Sequence, residues 1–233
     1  MPAAWGVPPM RSTTCADRHA LRSRPLVSRL PTLNRPMNRP IDLAHACRLL
    51  NHGPTVLVAA AHGGRRNLMA AAWSMPVEFT PPRVAVVVDK KTFTRELMTA
   101  SGAFTLNLPG RALLDLTYTV GSVSGHELLR AGQPDKFARY GIGHVDSPQF
   151  AQPFVDGCVA WMECRLIREP HTEDAYDTCF AEVVSAFADE RVFAGGRWSF
   201  RDDNRELHTL HHLGGGHFTR PAPTQPARLL DAG

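Results

Sequence analysis

Strand-like segments follow one another along this chain, with few helical segments between them. The clearest is residues 83–88 (Arg-Val-Ala-Val-Val-Val), which follows Pro81-Pro82. The proline pair excludes a helix at this entry and favours extended backbone. A parallel doubly wound sheet needs a helix after almost every strand, which this sequence does not offer. About six strands with short helices predict instead a mainly β, closed antiparallel barrel with helical decorations. The expected strands are residues 55–61, 68–74, 83–88, 103–108, 154–167 and 178–187.

The remaining segments are short. Asp42 can cap a helix that carries Leu43, Ala46, Cys47 and Leu50 on one face. Apolar residues at helical spacing predict further helices at residues 92–100, 111–120 and 135–140. A polar loop is expected at residues 169–174, between the two longest strands. The domain boundaries that follow are a disordered basic extension at 1–36, the barrel domain at 37–220 and a loose tail at 221–233.

The charge of the chain is concentrated at one end. The formal net charge is +4, but residues 1–36 hold six arginines against Asp17, so the remainder has a net charge of −1. A nucleic-acid-binding surface needs excess positive charge on the folded domain, and we therefore expect no nucleic-acid partner. The basic end is either a disordered arm or upstream sequence that the native protein lacks, since its six prolines disfavour a transit-peptide helix.

Cysteine usage and hydrophobic run length indicate a cellular compartment. The five cysteines have irregular spacings and form no Cys-x-x-Cys. This pattern predicts buried free thiols in a reducing compartment, hence a cytoplasmic protein. The longest apolar runs are far too short to cross a bilayer, so we expect no membrane partner.

Common catalytic signatures are missing from the sequence. It contains no Gly-x-Gly-x-x-Gly after a strand, no Gly-x-x-x-x-Gly-Lys-Ser/Thr, no Gly-x-Ser-x-Gly and no His-Glu-x-x-His. His208, His211 and His212 stand at helical spacing and could share a metal ion. No cysteine or carboxylate set accompanies them, so polar surface histidines are the favoured interpretation and no metal site is predicted.

Residues 89–94 (Asp-Lys-Lys-Thr-Phe-Thr) are more informative. Here a strand ends, and two of the three lysines of the chain precede a helix that begins with threonines. Free N–H groups at a helix start, with a lysine and hydroxyl groups, can bind a phosphate. From these residues alone, a capped helix with solvated charges is the favoured alternative.

Four motifs, in a fixed order, resemble one family. They are Asn67-Leu68-Met69-Ala70-Ala71-Ala72-Trp73, Thr80-Pro81-Pro82-Arg83-Val84-Ala85-Val86, Thr92-x-Thr94-Arg95-Glu96-Leu97-Met98 and Ser101-Gly102-Ala103-Phe104-Thr105-Leu106-Asn107-Leu108. Together with Asp135-Lys136-Phe137 and Leu213-Gly214-Gly215-Gly216-x-Phe218, they resemble the flavin reductase-like family, in its flavoredoxin-type branch of FMN-binding split barrels. The resemblance covers roughly residues 45–218.

This resemblance implies a six-stranded antiparallel split barrel, a homodimer and one FMN per subunit near the dimer interface. By position, Asn67 and Trp73 would line the isoalloxazine ring and ribityl chain, and Thr94 with its neighbours would hold the phosphate. Lys136 would add charge near the flavin or its phosphate, and Phe218 would close over the ring. The complete set of implied contacts is Asn67, Met69, Ala70, Ala71, Trp73, Lys91, Thr92, Thr94, Ser101, Lys136 and Phe218.

One position departs from the family pattern. Many relatives carry a histidine just before the strand that here begins Thr178-Cys179-Phe180, and this chain has Asp177 there. Either the flavin-contacting histidine is lost, or His171 approaches from the preceding segment. An aspartate near reduced flavin would disfavour the anionic form of the flavin.

The function expected from the resemblance is an FMN-dependent oxidoreductase. NAD(P)H would reduce the flavin, and the flavin would then reduce free flavin or another small-molecule or protein acceptor. No residue is assigned as a general acid or base. Two alternatives remain open: a flavoredoxin-like electron carrier that a partner protein reduces, and a barrel without flavin that binds a small ligand or haem through its late histidines.

Overall fold

The computed structural model describes residues 38–230. The predicted basic extension lies outside the described residues. Fourteen strands are described, in chain order β1 (Asn38–Pro40), β2 (Val56–His62), β3 (Arg65–Ala71), β4 (Ser74–Phe79), β5 (Pro82–Val87), β6 (Ala103–Pro109), β7 (His144–Asp146), β8 (Pro153–Val155), β9 (Cys158–Ile167), β10 (Thr178–Asp189), β11 (Phe193–Ala194), β12 (Arg197–Trp198), β13 (His211–Gly214) and β14 (His217–Thr219).

Helices are short and lie between the strands. The α-helices are α1 (Phe93–Ser101), α2 (Leu114–Ser122), α3 (Gly125–Arg130), α4 (Lys136–Tyr140) and α5 (Pro170–Tyr176), and 3-10 helices occupy Leu43–Leu49, Arg111–Leu113 and Asp202–Leu207. Among residues 38–230, no helix has the length and apolar content needed to cross a membrane.

An eight-stranded antiparallel sheet organises the molecule. Its order is β3-β2-β6-β9-β10-β5-β4, and β1 pairs with the far end of β10. Strand β10 is long enough to pair with β5 through its first half and with β1 through its last residues. Three two-stranded hairpins, β7-β8, β11-β12 and β13-β14, complete the strands. The predicted mainly β class, antiparallel with short helices, is confirmed.

Buried residues on the two faces of β2 explain why its sequence is apolar without alternation. Val56, Val58 and Ala60 enter the larger core, whereas Leu57 and Ala59 enter a smaller one. Because successive side chains of a strand point to opposite faces, a strand covered on both sides reads as a continuous apolar run. The larger core lies under α1, and the smaller one lies under α2 and α4.

Four cysteines are described, and all of them are buried free thiols: Cys47, Cys158, Cys164 and Cys179. Burial is the largest influence on each of them and raises the pKa of each thiol. These side chains therefore behave as small apolar residues. The fifth, Cys15, lies outside the described residues.

The main sheet has eight strands rather than the predicted six because two edge strands were missed, and the short hairpin strands β7 and β11 to β14 were missed as well. Strand β4 contains Pro76, which disfavours a strand assignment, and most of its side chains are exposed. Strand β1 has three residues and ends at Pro40. The predicted run at 68–74 is also wrong in its bounds, because β3 begins two polar residues before Asn67 and ends at Ala71.

The segment predicted as a polar loop at 169–174 forms helix α5. Pro170 occupies the first helical position, where its missing N–H costs nothing. Asp177 ends the helix in the left-handed conformation, with φ of 54°. The segment has no apolar residues at helical spacing, because the buried residue of α5 is the charged Glu173. The sequence therefore shows no helical pattern here.

Candidate functional site

The entry turn of α1, residues 89–94, is built by side-chain caps. Thr92 is the N-cap, and its hydroxyl accepts a hydrogen bond from Arg95 N at 3.2 Å. The carboxylate of Asp89 accepts from Lys91 N at 2.8 Å. The amides of Phe93 and Thr94 precede the first intrahelical bond and, within the described residues, have no protein acceptor. Phe93 is 5% exposed and Thr94 0%, so these two amides lie beneath the surface, and the solvent-facing residues of the turn are Lys91 and the partly exposed Thr92.

A direct hydrogen bond joins this turn to the sheet. Asn67 on β3 donates from Nδ2 to the hydroxyl of Thr94 at 2.9 Å, and both side chains are buried. The start of α3 packs closely against the same amide group: a Cβ atom built on Gly125 would lie only 2.6 Å from Asn67 Oδ1. Only glycine allows the backbone of α3 to approach Asn67 so closely.

The chain after Asn67 presents small side chains and then an aromatic one. Met69 and Ala70 are partly exposed, and Ala71 is buried. Gly121 of α2 lies so close that its Cβ would meet that of Ala70 at 3.0 Å. Trp73 is 74% exposed, so it is not a core residue. This edge combines small side chains, which permit close approach, with an aromatic ring free to stack.

Lys136, at the start of α4, is buried beneath this edge. Its ammonium donates to Leu68 O at 2.8 Å and to Val120 O at 2.7 Å, and only 2% of the residue is exposed. Burial lowers the pKa of Lys136 to about 8. The side chain ties β3 to α2 from within, and its role as a flavin contact stays a prediction.

A buried ion pair supports the other side of the entry turn. Arg95 donates to Val88 O at 2.9 Å and to Glu173 Oε2 at 3.2 Å, and its side chain is 7% exposed. Burial opposes ionisation of Glu173, but hydrogen bonds from Arg168 and Glu169 N and the charges of the two arginines outweigh it and lower the pKa of that carboxyl. Glu173 is thus held as a carboxylate.

Asp177, which replaces the family histidine, belongs to this support. Its Oδ1 accepts from Lys90 N at 3.0 Å and lies 3.8 Å from Lys90 Nζ. The side chain therefore contributes to the entry turn. His171 lies exposed on α5, with its ring 5.8 Å from that of Tyr176.

Two predicted contacts lie apart from the entry turn. Ser101 is at the opposite end of α1, where its hydroxyl donates to Leu97 O at 2.8 Å, and it lines a separate cavity of about 540 Å³. Phe218 lies on β14 and contacts Tyr118 of α2, with ring centroids 6.4 Å apart. The other predicted contacts, on β3, at the α1 start and at Lys136, are joined through Asn67, Thr94 and Leu68.

His208, His211 and His212 do not lie on one helix, so the helical arrangement that their spacing suggested is wrong. His208 follows a 3-10 helix and is buried, with its ring nitrogens within 3.1 Å of Pro221 O, Arg201 O and Asn204 Oδ1. His211 and His212 belong to strand β13. Across residues 38–230, no three His, Cys, Asp or Glu side chains are grouped as metal ligands.

Sequence reasoning missed the pairing of Arg95 with Glu173 and the close approaches of Gly121 and Gly125. Arg95 is the one charged residue among the buried positions of α1, and its place beside the apolar face of that helical segment is the one available signal. Nothing in the sequence connects it to an acidic residue 78 positions later. The glycines show no pattern that separates them from ordinary turn glycines.

Comparison with known proteins agrees with this geometry. A family model described as the flavin reductase like domain matches residues 48–206, which include β3, the α1 entry turn, Lys136 and α5. The uncharacterised protein YddH of Escherichia coli (strain K12) is 57% identical over 182 residues, covering 77% of this chain and 92% of that protein.

Solved structures share the fold. The FMN-binding domain of a flavin reductases-like enzyme from Shewanella baltica OS155 is 41% identical, with a TM-score of 0.77, and the match covers 82% of this chain and 97% of that one. Flavoredoxin of Desulfovibrio vulgaris (Miyazaki F), 24% identical, aligns with a TM-score of 0.62 over 75% of this chain and 90% of its own. The chain therefore belongs to the flavin reductase-like domain family.

Proposed function

We propose that this protein binds FMN and acts as an NAD(P)H-dependent oxidoreductase of the flavin reductase type. The observation that carries the proposal is the family match over residues 48–206, because it includes both parts of the candidate site. The 41% identity to an FMN-binding domain, over most of both chains, supports FMN as the cofactor.

The α1 entry turn suits the phosphate of FMN. The turn lies at the positive end of a nine-residue helix, where Lys91 is exposed and Thr92 is partly exposed, and the unpaired amides of Phe93 and Thr94 lie beneath the surface. A phosphate dianion needs N–H donors and a neighbouring cation, and such helix starts bind phosphate in many folds. The sequence alone favoured a capped helix here. The structure has that cap at Thr92 and leaves the two amides unpaired.

The edge formed by β3 and Trp73 suits a flat conjugated ring. Ala70 is partly exposed and holds little volume above the backbone, Ala71 points into the larger core, and Trp73 offers an open aromatic face. Phe218, with Tyr118 beside it, would cover the ring from the last hairpin. Flavin sites combine apolar surface with a few backbone donors in this way.

FMN, when bound, supplies the redox chemistry: it accepts hydride at N5 and passes electrons onward. The chain's own residues bind and orient the cofactor and limit the access of water. The electron acceptors that we propose are free flavin, another small molecule or a redox protein.

We also propose that the protein forms a homodimer through an apolar stripe on β4 and the residue before it. The stripe consists of Trp73, Met75, Val77 and Phe79, which are 74%, 57%, 41% and 62% exposed. Trp73 and Met75 share one face of the strand, whereas a β-bulge between Pro76 and Glu78 breaks the alternation and turns Phe79 toward the other face. The four side chains are exposed along one edge strand of the sheet. Exposed apolar side chains concentrated on one edge mark an interaction site, and a second copy of this chain offers the same apolar chemistry.

An absorption spectrum of the purified protein tests the function. We expect flavin absorption in the visible region, from retained or added FMN, and bleaching after anaerobic addition of NADH or NADPH. A flavin spectrum that neither nucleotide bleaches would support the electron carrier, provided that dithionite reduces it. Protein that takes up no FMN would contradict both the reductase and the electron carrier.

A further inference from the structure

Helix α5 is joined to the entry turn of α1 by a charged network inside the protein. The guanidinium of Arg95 bonds Val88 O at the end of β5 and the carboxylate of Glu173 on α5. The two side chains are only 7% and 4% exposed. Arg95 lies in the first turn of the helix that the entry turn leads into, so one residue bonds the segments on both sides of that turn.

The carboxylate of Glu173 has its oxygens fully engaged. Besides Arg95, it accepts from Arg168 Nε at 3.0 Å and from Glu169 N at 2.9 Å. Two guanidinium groups therefore face one carboxylate. Charge-assisted hydrogen bonds of this kind have restricted geometry and hold their partners more firmly than neutral ones.

Asp177, which follows α5, extends the network to the backbone of the turn. Its carbonyl oxygen accepts from Val88 N at 2.9 Å, and its carboxylate accepts from Lys90 N at 3.0 Å. Lys90 returns the contact by donating from Nζ to Asp174 O. The backbone from Val88 to Lys90 is thus bonded to α5, whereas β3 and Trp73 have their own support in the sheet.

We infer that Arg95 and Glu173 are positioning residues that set the preference of the site for a flavin with a 5′-phosphate. This inference rests on the proposed function. The pair holds the backbone of the α1 entry turn, through Val88 O and Glu173, and phosphate binding at a helix start depends on the placement of that backbone and of Lys91 beside it. The ring-facing edge is built on β3, so contacts to the ring do not depend on the pair. Riboflavin, which has the same ring without the phosphate, separates the two contributions.

The test compares the dissociation constants of FMN and riboflavin by fluorescence titration of the full chain after removal of any bound flavin. Glu173→Gln keeps the shape and volume but removes the charge. We expect it to weaken FMN binding about tenfold and to change riboflavin binding less than about twofold. The matched control is Glu182→Gln, which neutralises the exposed pair between Glu182 and Arg165. This control should leave both constants unchanged.

A second variant covers the case in which Glu173→Gln does not fold, since breaking a buried pair is destabilising. Arg95→Lys keeps the charge but loses the contacts that the guanidinium makes in two directions. It should raise the ratio of the FMN dissociation constant to the riboflavin dissociation constant, as Glu173→Gln does. An unchanged ratio in a folded variant, or equal weakening of both flavins, would overturn the inference. Wild-type protein that binds FMN and riboflavin equally would overturn it too, while leaving flavin binding intact. Wild type that binds neither would refute the proposed function itself.

Discussion

Asn67 and Thr94 are joined side chain to side chain at 2.9 Å, and this bond links strand β3 to the entry turn of α1, the two parts of the proposed FMN site. Both side chains are buried, Thr94 completely. A buried amide without its acceptor costs free energy, so the bond both stabilises the fold and fixes the distance between the two parts of the site. The same contact explains why the resemblance motifs include an asparagine and a threonine so far apart in sequence.

Thr94→Val keeps the volume of the side chain but removes the acceptor of the Asn67 amide. We expect the free energy of unfolding to fall by about 1–3 kcal/mol and FMN binding to weaken. Thr94→Ser, which retains the hydroxyl, is the control and should retain most of both. Urea denaturation and FMN titration measure the two effects. A folded Thr94→Val variant with unchanged FMN affinity would remove Thr94 from the phosphate site.

The apolar stripe on β4 predicts the oligomeric state. We expect a dimer in sedimentation experiments, and we expect the double variant Met75→Glu/Val77→Glu to be largely monomeric, because each dimer interface would bury charged side chains. Leu129→Glu, at a 46% exposed position on α3, is the control and should remain dimeric. A monomeric wild type would contradict the proposed interface.

The sequence predicts most of the central strands and the α1 start because burial and capping leave local patterns. Strand β5 follows a proline pair, and α1 begins at a threonine cap, as expected. The parts that were missed depend on contacts between distant residues. Pro76 interrupts the strand-like pattern of β4. Helix α5 is stabilised through Glu173, whose partner Arg95 lies on α1.

The candidate site likewise has features that local sequence indicates and features that depend on contacts between distant residues. The resemblance, through residue types and their order, predicts which positions would contact a flavin. Local sequence does not reveal that Lys136 points inward to two carbonyl groups, because a lysine at a helix start normally remains solvated. Such placements depend on how the helices pack on β3.

Acid sensitivity is expected from His52. Its Nε2 lies 2.8 Å from Thr209 Oγ1, and burial, with a smaller contribution from His211, lowers its pKa to about 4. The unfolded chain therefore binds more protons than the folded one between about pH 6.5 and pH 4, so the free energy of unfolding falls as the pH decreases through that range. His52→Gln should reduce this fall by about 2 kcal/mol, because the titrating group is gone.

Urea denaturation at several pH values measures the effect of His52. His217→Gln is the matched control, since His217 is an exposed histidine on β14. It should follow the wild-type curve. A His52→Gln variant with the full acid dependence of the wild type would show that other groups, His211 among them, cause the loss.

Lys136 predicts a pH dependence of the same sign in the alkaline range. Burial lowers its pKa to about 8 from the ordinary 10.5, so between these values the unfolded chain again binds more protons. The free energy of unfolding should therefore rise with pH, by about 2 kcal/mol between about pH 8 and pH 10. The neutral amine still has two N–H groups for the two carbonyls, so its contacts survive deprotonation.

Lys136→Met should lack this rise, whereas Lys91→Met, at an exposed lysine, should keep it. Lys136→Met that retains FMN affinity would assign the residue to the fold, and a variant with normal alkaline stabilisation would contradict the buried ammonium.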